Sequence, residues 1–373
     1  MIRRIASRSS RALLSAYVPA RTAAWPDATR LFFVGDEIGW SIDDDSVRLA
    51  AIARRLGYEV APESWAPFAR RQAVFHPEHF AALRPRWLES SQRLGLSYFH
   101  GRPGTPGYPE FDDAYATLRR YAHRIERVQV THPEMHELVL SAGVQADRVF
   151  EIPIGVDIAR FPFGDRRARV EAREALGVPA SAFVVGSSQK DGVGLGQGLE
   201  PKVVKGPDTL VATLARLRES VPELFVVITG LARGYVRREL ERLGIPYRHL
   251  YLSSRDELAR TYHAFDAYLV TSRQEGGPKG VLESMATGVP LVTTRVGQAP
   301  AVVSDGENGL LAEVDDIDGL VAAVRRVHDD GELRDRLRSA GRPTAEAYAD
   351  ERLDARWEEL LDGFVQKGES RGH

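Results

Sequence analysis

Hydrophobic and polar positions along this chain fall into two recurring patterns. Short solid runs of apolar residues alternate with longer stretches whose apolar positions repeat at helical spacing. Solid runs of this length read as strands buried on both faces, and the periodic stretches as helices that cover them. The run over 31–34 reads as a strand, followed by a helix over about 44–56 and a returning strand over 58–61. Strands over 96–99, 125–130 and 149–152 follow, with helices over 111–122 and 133–142 between them. The Pro/Gly-rich stretch 102–110 reads as loop. Residues 160–180 read as a hinge carrying a short helix, after which the alternation restarts. Strands are predicted over 183–186, 224–229, 249–252, 268–270 and 290–293. Helices are predicted over 208–219, 235–243, 255–263 and 278–287, with further helices beyond Ile317.

Two rounds of strand–helix alternation in 373 residues predict an α/β protein of two Rossmann-like domains, each a parallel sheet covered by helices. The expected organisation is a basic leader at 1–26, a first domain at 27–162 and a second at 163–344. Residues 345–373 are expected to form a helix that crosses back to the first domain, and its tail. Ligand is expected in the cleft between the two sheets, at the carboxyl ends of their strands.

With 43% hydrophobic and 27% charged residues the chain has the composition of a globular protein, and no apolar run is long enough to span a bilayer. A formal charge of −2 leaves no nucleic-acid footprint. Cysteine is absent, which excludes disulfides and thiol chemistry. Residues 1–26 hold five arginines and no acid. That pattern admits a helix packed on the first domain or a frayed terminus, a transit-like leader, or a basic amphipathic helix in peripheral contact with a membrane from the cytoplasmic side. Lysine is rare: Lys190, Lys202, Lys205, Lys279 and Lys367 are the only ones among 50 basic residues. Four of the five fall in two glycine-rich stretches, and a lysine ammonium is a compact point charge suited to phosphate. Lys190 and Lys205 read as phosphate-facing; Lys202 and Lys279 fit that role or a solvated one.

The densest constellation is Glu275-Gly-Gly-Pro-Lys-Gly-Val-Leu-Glu283. Gly276 and Gly277 let backbone approach a ligand, Pro278 suits the first position of a helix, and Gly288 its end. Amides at such a helix start carry partial positive charge that suits phosphate or sugar oxygens. Glu283, about 7 Å further along at ~1.5 Å per residue, lies where a second hydroxyl of an elongated ligand would sit. Other patterns read as structure. Asp43, Asp44 and Asp45 cap a helix, and His132 and His136 lie at a helix start without a third ligand, so no metal site is predicted. Gly192 to Gly198 lacks dinucleotide-loop spacing.

The stretch from Glu275 to Glu283 resembles the E-x7-E region of retaining nucleotide-sugar glycosyltransferases of the GT-B fold, family 4. Pro153-Ile-Gly-Val-Asp157 with Phe161, Lys205-Gly-Pro-Asp-Thr-Leu210, Gly297-Gln-Ala-Pro300 and Asp305 to Leu310 resemble further segments of that family in order. The resemblance covers roughly residues 150–315 and is loose before that. It implies that Glu283 binds ribose hydroxyls and Glu275 the donor sugar, with Lys190 and Lys205 facing the diphosphate. It also implies donor contacts at Gly276, Gly277, Pro278, Lys279, Gly230 and Leu252, and at Gly39 after the first strand. His100, ending the strand over 96–99, corresponds to a histidine that contacts the donor sugar.

Two departures stand out. The family's G-R pair reads Gly186-Ser187, so its arginine is missing, with Lys190 three residues later as one source of the charge. The stretch 190–204 is longer than usual and would reach towards the acceptor or reshape the diphosphate site. The implied activity is metal- and cofactor-independent hexose transfer from a UDP or GDP sugar to a glycan or lipid-linked glycan hydroxyl, in bacterial surface polysaccharide synthesis. A sugar-nucleotide epimerase and a catalytically silent nucleotide-sugar-binding protein remain as alternatives.

Overall fold

The computed structural model describes residues 8–35, 41–194 and 196–368. The chain divides into two compact units. One comprises residues up to Ile152 together with those from Leu353 onward, and the other runs from Pro153 to Arg352.

The first unit holds five parallel strands in sequential order: β1 (Leu31–Phe33), β2 (Ala73–His76), β3 (Arg93–Ser97), β4 (Ile125–Val130) and β5 (Val149–Glu151). Successive side chains point to opposite faces. Val74, Leu94 and Val128 therefore join one buried layer with Trp87 and Leu118, while Ala73 and Phe75 join the other with Ile52 and Trp357. The sequence reading missed β2 and placed a strand at 58–61. There the chain makes a single bridge, Val60 to Leu31, before Pro62 ends the pairing. The helix Arg8–Thr22 belongs to this unit: Val18 is fully buried, and Tyr17 and Trp25 each lie 6.1 Å from the Trp65 ring.

The second unit holds six parallel strands: β6 (Phe183–Ser187), β7 (Leu224–Thr229), β8 (Tyr247–Leu250), β9 (Ala267–Val270), β10 (Leu291–Thr294) and β11 (Leu310–Ala312). Their order is β11-β10-β9-β6-β7-β8. From β6 the chain moves to β7 on one side, and β9 flanks β6 on the other. The carboxyl ends of β6 and β9 thus form a topological switch point, where open sheets of this kind leave a crevice.

The unit boundaries lie outside those read from the sequence, at Pro153 rather than 163 and at Leu353 rather than 345. Val156 and Phe161 pack in the second unit's core, and so does Ala345. Val156 also exchanges backbone bonds with Tyr348 and Asp350 at 3.1 and 3.2 Å, which fastens both connections to that unit. The single helix expected from 345 onward is three pieces: the end of Gly331–Ala347, a 3-10 turn at Asp350–Leu353, and the helix Asp354–Leu361. Leu353 at the end of the turn and the last helix cover the first unit, where Trp357 meets Phe75 edge-on at 5.9 Å. Among the described residues no helix is long and apolar enough to cross a membrane.

Trp357→Ala removes a fully buried aromatic from the face that the returning helix covers. It is expected to cost about 3–5 kcal/mol. Denaturant unfolding followed through a probe in the first unit checks this, and a loss below 1 kcal/mol, about the cost of an ordinary surface change, would mean the returning helix is an appendage.

Candidate active site

The switch point is built from backbone first. Lys205 ends a 3-10 turn, Val203–Lys205, and Gly206 follows at φ 60°. A Cβ on Gly206 would stand 1.9 Å from the Thr271 carbonyl oxygen, so no other residue fits there. Thr271 Oγ1 in turn donates to the Gly206 carbonyl at 2.8 Å. This contact joins the turn before the helix Pro207–Ser220 to the loop after β9. It brings the Lys205 ammonium to 2.5 Å from the Glu275 carboxylate, with the two side chains only 16% and 11% exposed. Ser272 Oγ donates to Glu275 at 3.0 Å and also lies 3.3 Å from Gln189, whose amide donates to the Lys205 carbonyl at 3.0 Å. The loop after β6 is tied in by Ser188 N–H, which donates to the Tyr268 hydroxyl at 3.1 Å.

The glycine pair serves close packing. A Cβ on Gly277 would meet the Gln298 side chain at 2.5 Å, and the Gly276 carbonyl accepts from Gln298 N–H at 2.8 Å. Gln298 is itself fixed by two bonds to the Ile154 backbone, at 2.7 and 3.0 Å. Pro278 stands one position earlier than expected, as the residue before the helix Lys279–Thr287, and Gly288 ends that helix at φ 73°. Lys279 is half-buried at its first turn.

Glu283 lies within the same helix at 3% exposure. Its carboxylate pairs with Arg255 and accepts from the Tyr262 hydroxyl at 2.9 Å. Burial, then the Glu283 charge, pushes the Tyr262 hydroxyl well above its ordinary pKa, so it remains a donor. Arg255 and Tyr262 went unnoticed in the sequence. Seven residues apart on one helical pattern, they look there like a surface cation and a core aromatic.

The remaining expected residues are more scattered. Gly230, at the end of β7 with φ 94°, bonds to the end of β8 through its N–H to Leu250, and its carbonyl accepts from His249 at 2.6 Å. Leu252 lies past β8 and is half-buried. Gly39 falls outside the described residues. His100 belongs to the first unit and sits in an aromatic cluster, 5.8 Å from Phe111 and 6.0 Å from His79. His79 is buried against Tyr98 at 4.0 Å, and burial pushes its pKa down to about 3. His132 precedes the helix Pro133–Ser141, and the helix at Asp45 begins at Ser41.

Lys190 is half-buried beside Gln189, and several described residues after it are tied to their surroundings. Gly192 bridges Pro201, and Lys202 N–H donates to the Asp191 carbonyl at 2.7 Å. The Gln197 and Gly198 carbonyls cap Gly234 and Tyr235 N–H, at 2.7 and 2.8 Å, at the start of the helix Gly234–Arg242. Beneath lies an ion pair between Asp191 and Arg233 at 2.9 Å, with both side chains at 0% exposure. Arg233 also donates to the Ser187 and Thr229 carbonyls at 2.9 and 3.1 Å. An arginine from the end of β7 thus stands against Ser187, the position where the resembled family carries one. Nothing marks Arg233 in a sequence where arginine is the routine cation. Its pairing required the fold.

Burial outweighs Arg233 and pushes the Asp191 carboxyl up to about 6 from its usual 3.8. A raised folded-state pKa stabilises fully below the unfolded value, and that contribution disappears as pH rises through about 6. The ionised pair is therefore a net cost at neutral pH, held in place because breaking it costs more. Arg233→Met alone should destabilise by about 3–5 kcal/mol at pH 8, whereas Asp191→Leu with Arg233→Met should stay near the parent or above it. Urea unfolding at a series of pH values checks both, and the double variant should lose the parent's decline in stability between about pH 4 and 6.

Comparisons with known proteins bear on the family and the fold. Residues 199–344 match the family described as glycosyl transferases group 1. A D-inositol 3-phosphate glycosyltransferase of Corynebacterium efficiens is 33% identical over 217 residues, covering 56% of this chain and 49% of the relative. The chain thus spans about half the length of that relative. A D-inositol 3-phosphate glycosyltransferase 2 of Catenulispora acidiphila is 33% identical over 310 residues, 74% of this chain and 69% of the relative. Among solved structures, the Anabaena protein HepE in complex with UDP and glucose superposes with a TM-score of 0.71 at 16% identity, covering 90% of this chain and 99% of that one. Its likeness concerns the fold, which is that of the GT-B glycosyltransferases. With its E-x7-E helix, its Lys205–Gly206 turn and relatives matching across most of its length, the chain belongs to the group 1 glycosyltransferases.

Proposed function

We propose that this protein is a retaining hexosyltransferase that takes a nucleoside-diphosphate sugar, with a uridine nucleotide as the first choice, and transfers the sugar to an acceptor hydroxyl. The observation that carries the reading is the Lys205–Glu275 pair at the carboxyl edge of the second sheet, directly before the helix Lys279–Thr287. In the reaction the bond between the anomeric carbon and the diphosphate oxygen breaks, and both bonding electrons leave with the diphosphate. The acceptor oxygen bonds to the same face of that carbon and its proton passes to the departing phosphate. Lys205, Lys190 and the helix amides would meet the charge that grows on the diphosphate, where fixed positive groups contribute most. Glu275 would orient the donor sugar through hydroxyls it can accept from. Glu283, fixed by Arg255 and Tyr262, retains lone pairs for the ribose.

The acceptor class we favour is a bacterial surface glycan or lipid-linked glycan, reached from the cytoplasm with the basic amino terminus in peripheral contact with the membrane. A second reading, an inositol phosphate acceptor, is favoured by the two relatives that carry that name at 33% identity. Transfer assays that offer both acceptors to one UDP-sugar panel decide between them. Donor turnover with and without acceptor also separates transfer from epimerisation and from silent binding.

Lys205→Ala should lower turnover by about 10²-fold or more, with folding stability changed far less. Lys205→Arg should rescue poorly, because a wider planar guanidinium replaces a compact point charge paired with Glu275. Steady-state kinetics on UDP-sugars test this, and full activity of the arginine variant would remove Lys205 from the diphosphate.

The same reading requires no metal or cofactor, since lysines and amides supply the positive charge. EDTA should leave transfer largely intact and added Mg²⁺ or Mn²⁺ should alter the rate only modestly. Activity abolished by chelation and restored by Mn²⁺ would overturn this assignment of the charge.

A further inference from the structure

At the opposite, amino-terminal edge of the second sheet lies a polar cavity of about 400 Å³. It opens between the helices Arg166–Leu176 and Gly331–Ala347, beside the residues that precede β6, β9 and β10. Each helix presents two arginines one turn apart to this cavity: Arg169 and Arg173 from the first, Arg334 and Arg338 from the second.

The two pairs differ in how they are neutralised. Arg169 and Arg173 both grip Asp266, each at 2.5 Å, and Arg173 is further spent on the Ala264 and Ala182 carbonyls at 3.1 and 3.0 Å. Arg334 and Arg338 make no ion pair among the described residues. Arg334 donates to the Val327 and His328 carbonyls at 2.8 and 2.6 Å; Arg338 donates to the Gly164 carbonyl at 3.2 Å and lies over the Phe163 ring at 5.5 Å. Of the cavity's other carboxylates, Glu223 is taken up by His328 at 2.8 Å, and Asp335 is exposed. Burial, then the nearby Arg169 charge, lowers the Arg338 pKa, against opposing pulls from Asp335 and Asp266.

We propose that this cavity is a binding site for a small phosphorylated anion, held chiefly by Arg334 and Arg338. Guanidinium groups match phosphate oxygens with paired donors, and both arginines keep donors beyond those given to carbonyls. A confined pair of unneutralised cations is relieved by a dianion more than by dispersed chloride. The site is separate from Lys205 and Glu275. Those lie past the carboxyl ends of β6 and β9, a strand length away, roughly 16 Å at ~3.3 Å per residue. It also stands whether or not the chain transfers sugars.

Inorganic phosphate titrated into the full chain by calorimetry at constant ionic strength tests the proposal. One saturable site is expected in the parent protein, weakened about tenfold or more in Arg334→Gln with Arg338→Gln. Lys205→Ala should leave that site unchanged. Asp335→Asn, which removes an exposed negative charge from the cavity, should tighten it several-fold and decides the matter if the double variant does not fold. Absence of saturable binding, retention in the double variant, or loss in Lys205→Ala would each overturn the assignment.

Discussion

The carboxyl edge of the second sheet depends on one close contact, the Gly206 backbone against the Thr271 carbonyl. Neither segment could approach so closely if position 206 carried a side chain. Around the contact, Arg273 and Gln274 N–H both donate to the Val204 carbonyl, at 2.9 and 3.1 Å. The Arg273 guanidinium grips Asp208 through two bonds of 2.7 Å and reaches Asp315 as well. Those bonds hold Arg273 above its ordinary pKa, Asp208 contributing first. The loop after β9 and the turn before the helix Pro207–Ser220 thus behave as one body. Lys205 and Glu275 face each other because both ride on it.

This explains why the Lys205–Gly206 turn and the stretch from Glu275 to Glu283 stood out in the sequence ahead of their surroundings. Close contacts demand glycine at fixed places: Gly206 against the Thr271 backbone beside Lys205, and Gly277 against the Gln298 side chain, two positions after Glu275. Lysine scarcity acted as a second label, since Lys205 is conspicuous in a chain that otherwise uses arginine. The strand runs were legible for a related reason: in β6, β7 and β9 every residue is buried, so the apolar signal is unbroken.

What stayed hidden depended on contacts between distant segments. The strand β2 ends in His76, a polar residue that burial keeps neutral, with its pKa near 3, while it donates to the Val34 carbonyl. Four residues with a histidine among them give little periodic signal. Asp191 and Arg233 are 42 positions apart and ordinary in type, so their pairing follows only from β6 and β7 lying side by side. Arg255 and Tyr262 escaped for the same reason: each becomes informative only when Glu283 is placed between them. The unit boundaries moved because Val156 and Tyr348 share backbone bonds that no composition shift announces.

A common design runs through the charged residues of the second unit. Lys205 stands against Glu275, Glu283 against Arg255 and Arg233 against Asp191, so these three buried or half-buried charges meet their opposites without any ligand. Opposite charges at such range attract by several kcal/mol even at an effective dielectric near 20, which keeps the unliganded edge from repelling itself. On the proposed function, a diphosphate arriving there would loosen Lys205 from Glu275, and the carboxylate so released would be free to accept from sugar hydroxyls. The amino-terminal cavity lacks this internal pairing for Arg334 and Arg338. By the same electrostatic logic its missing partner comes from solution.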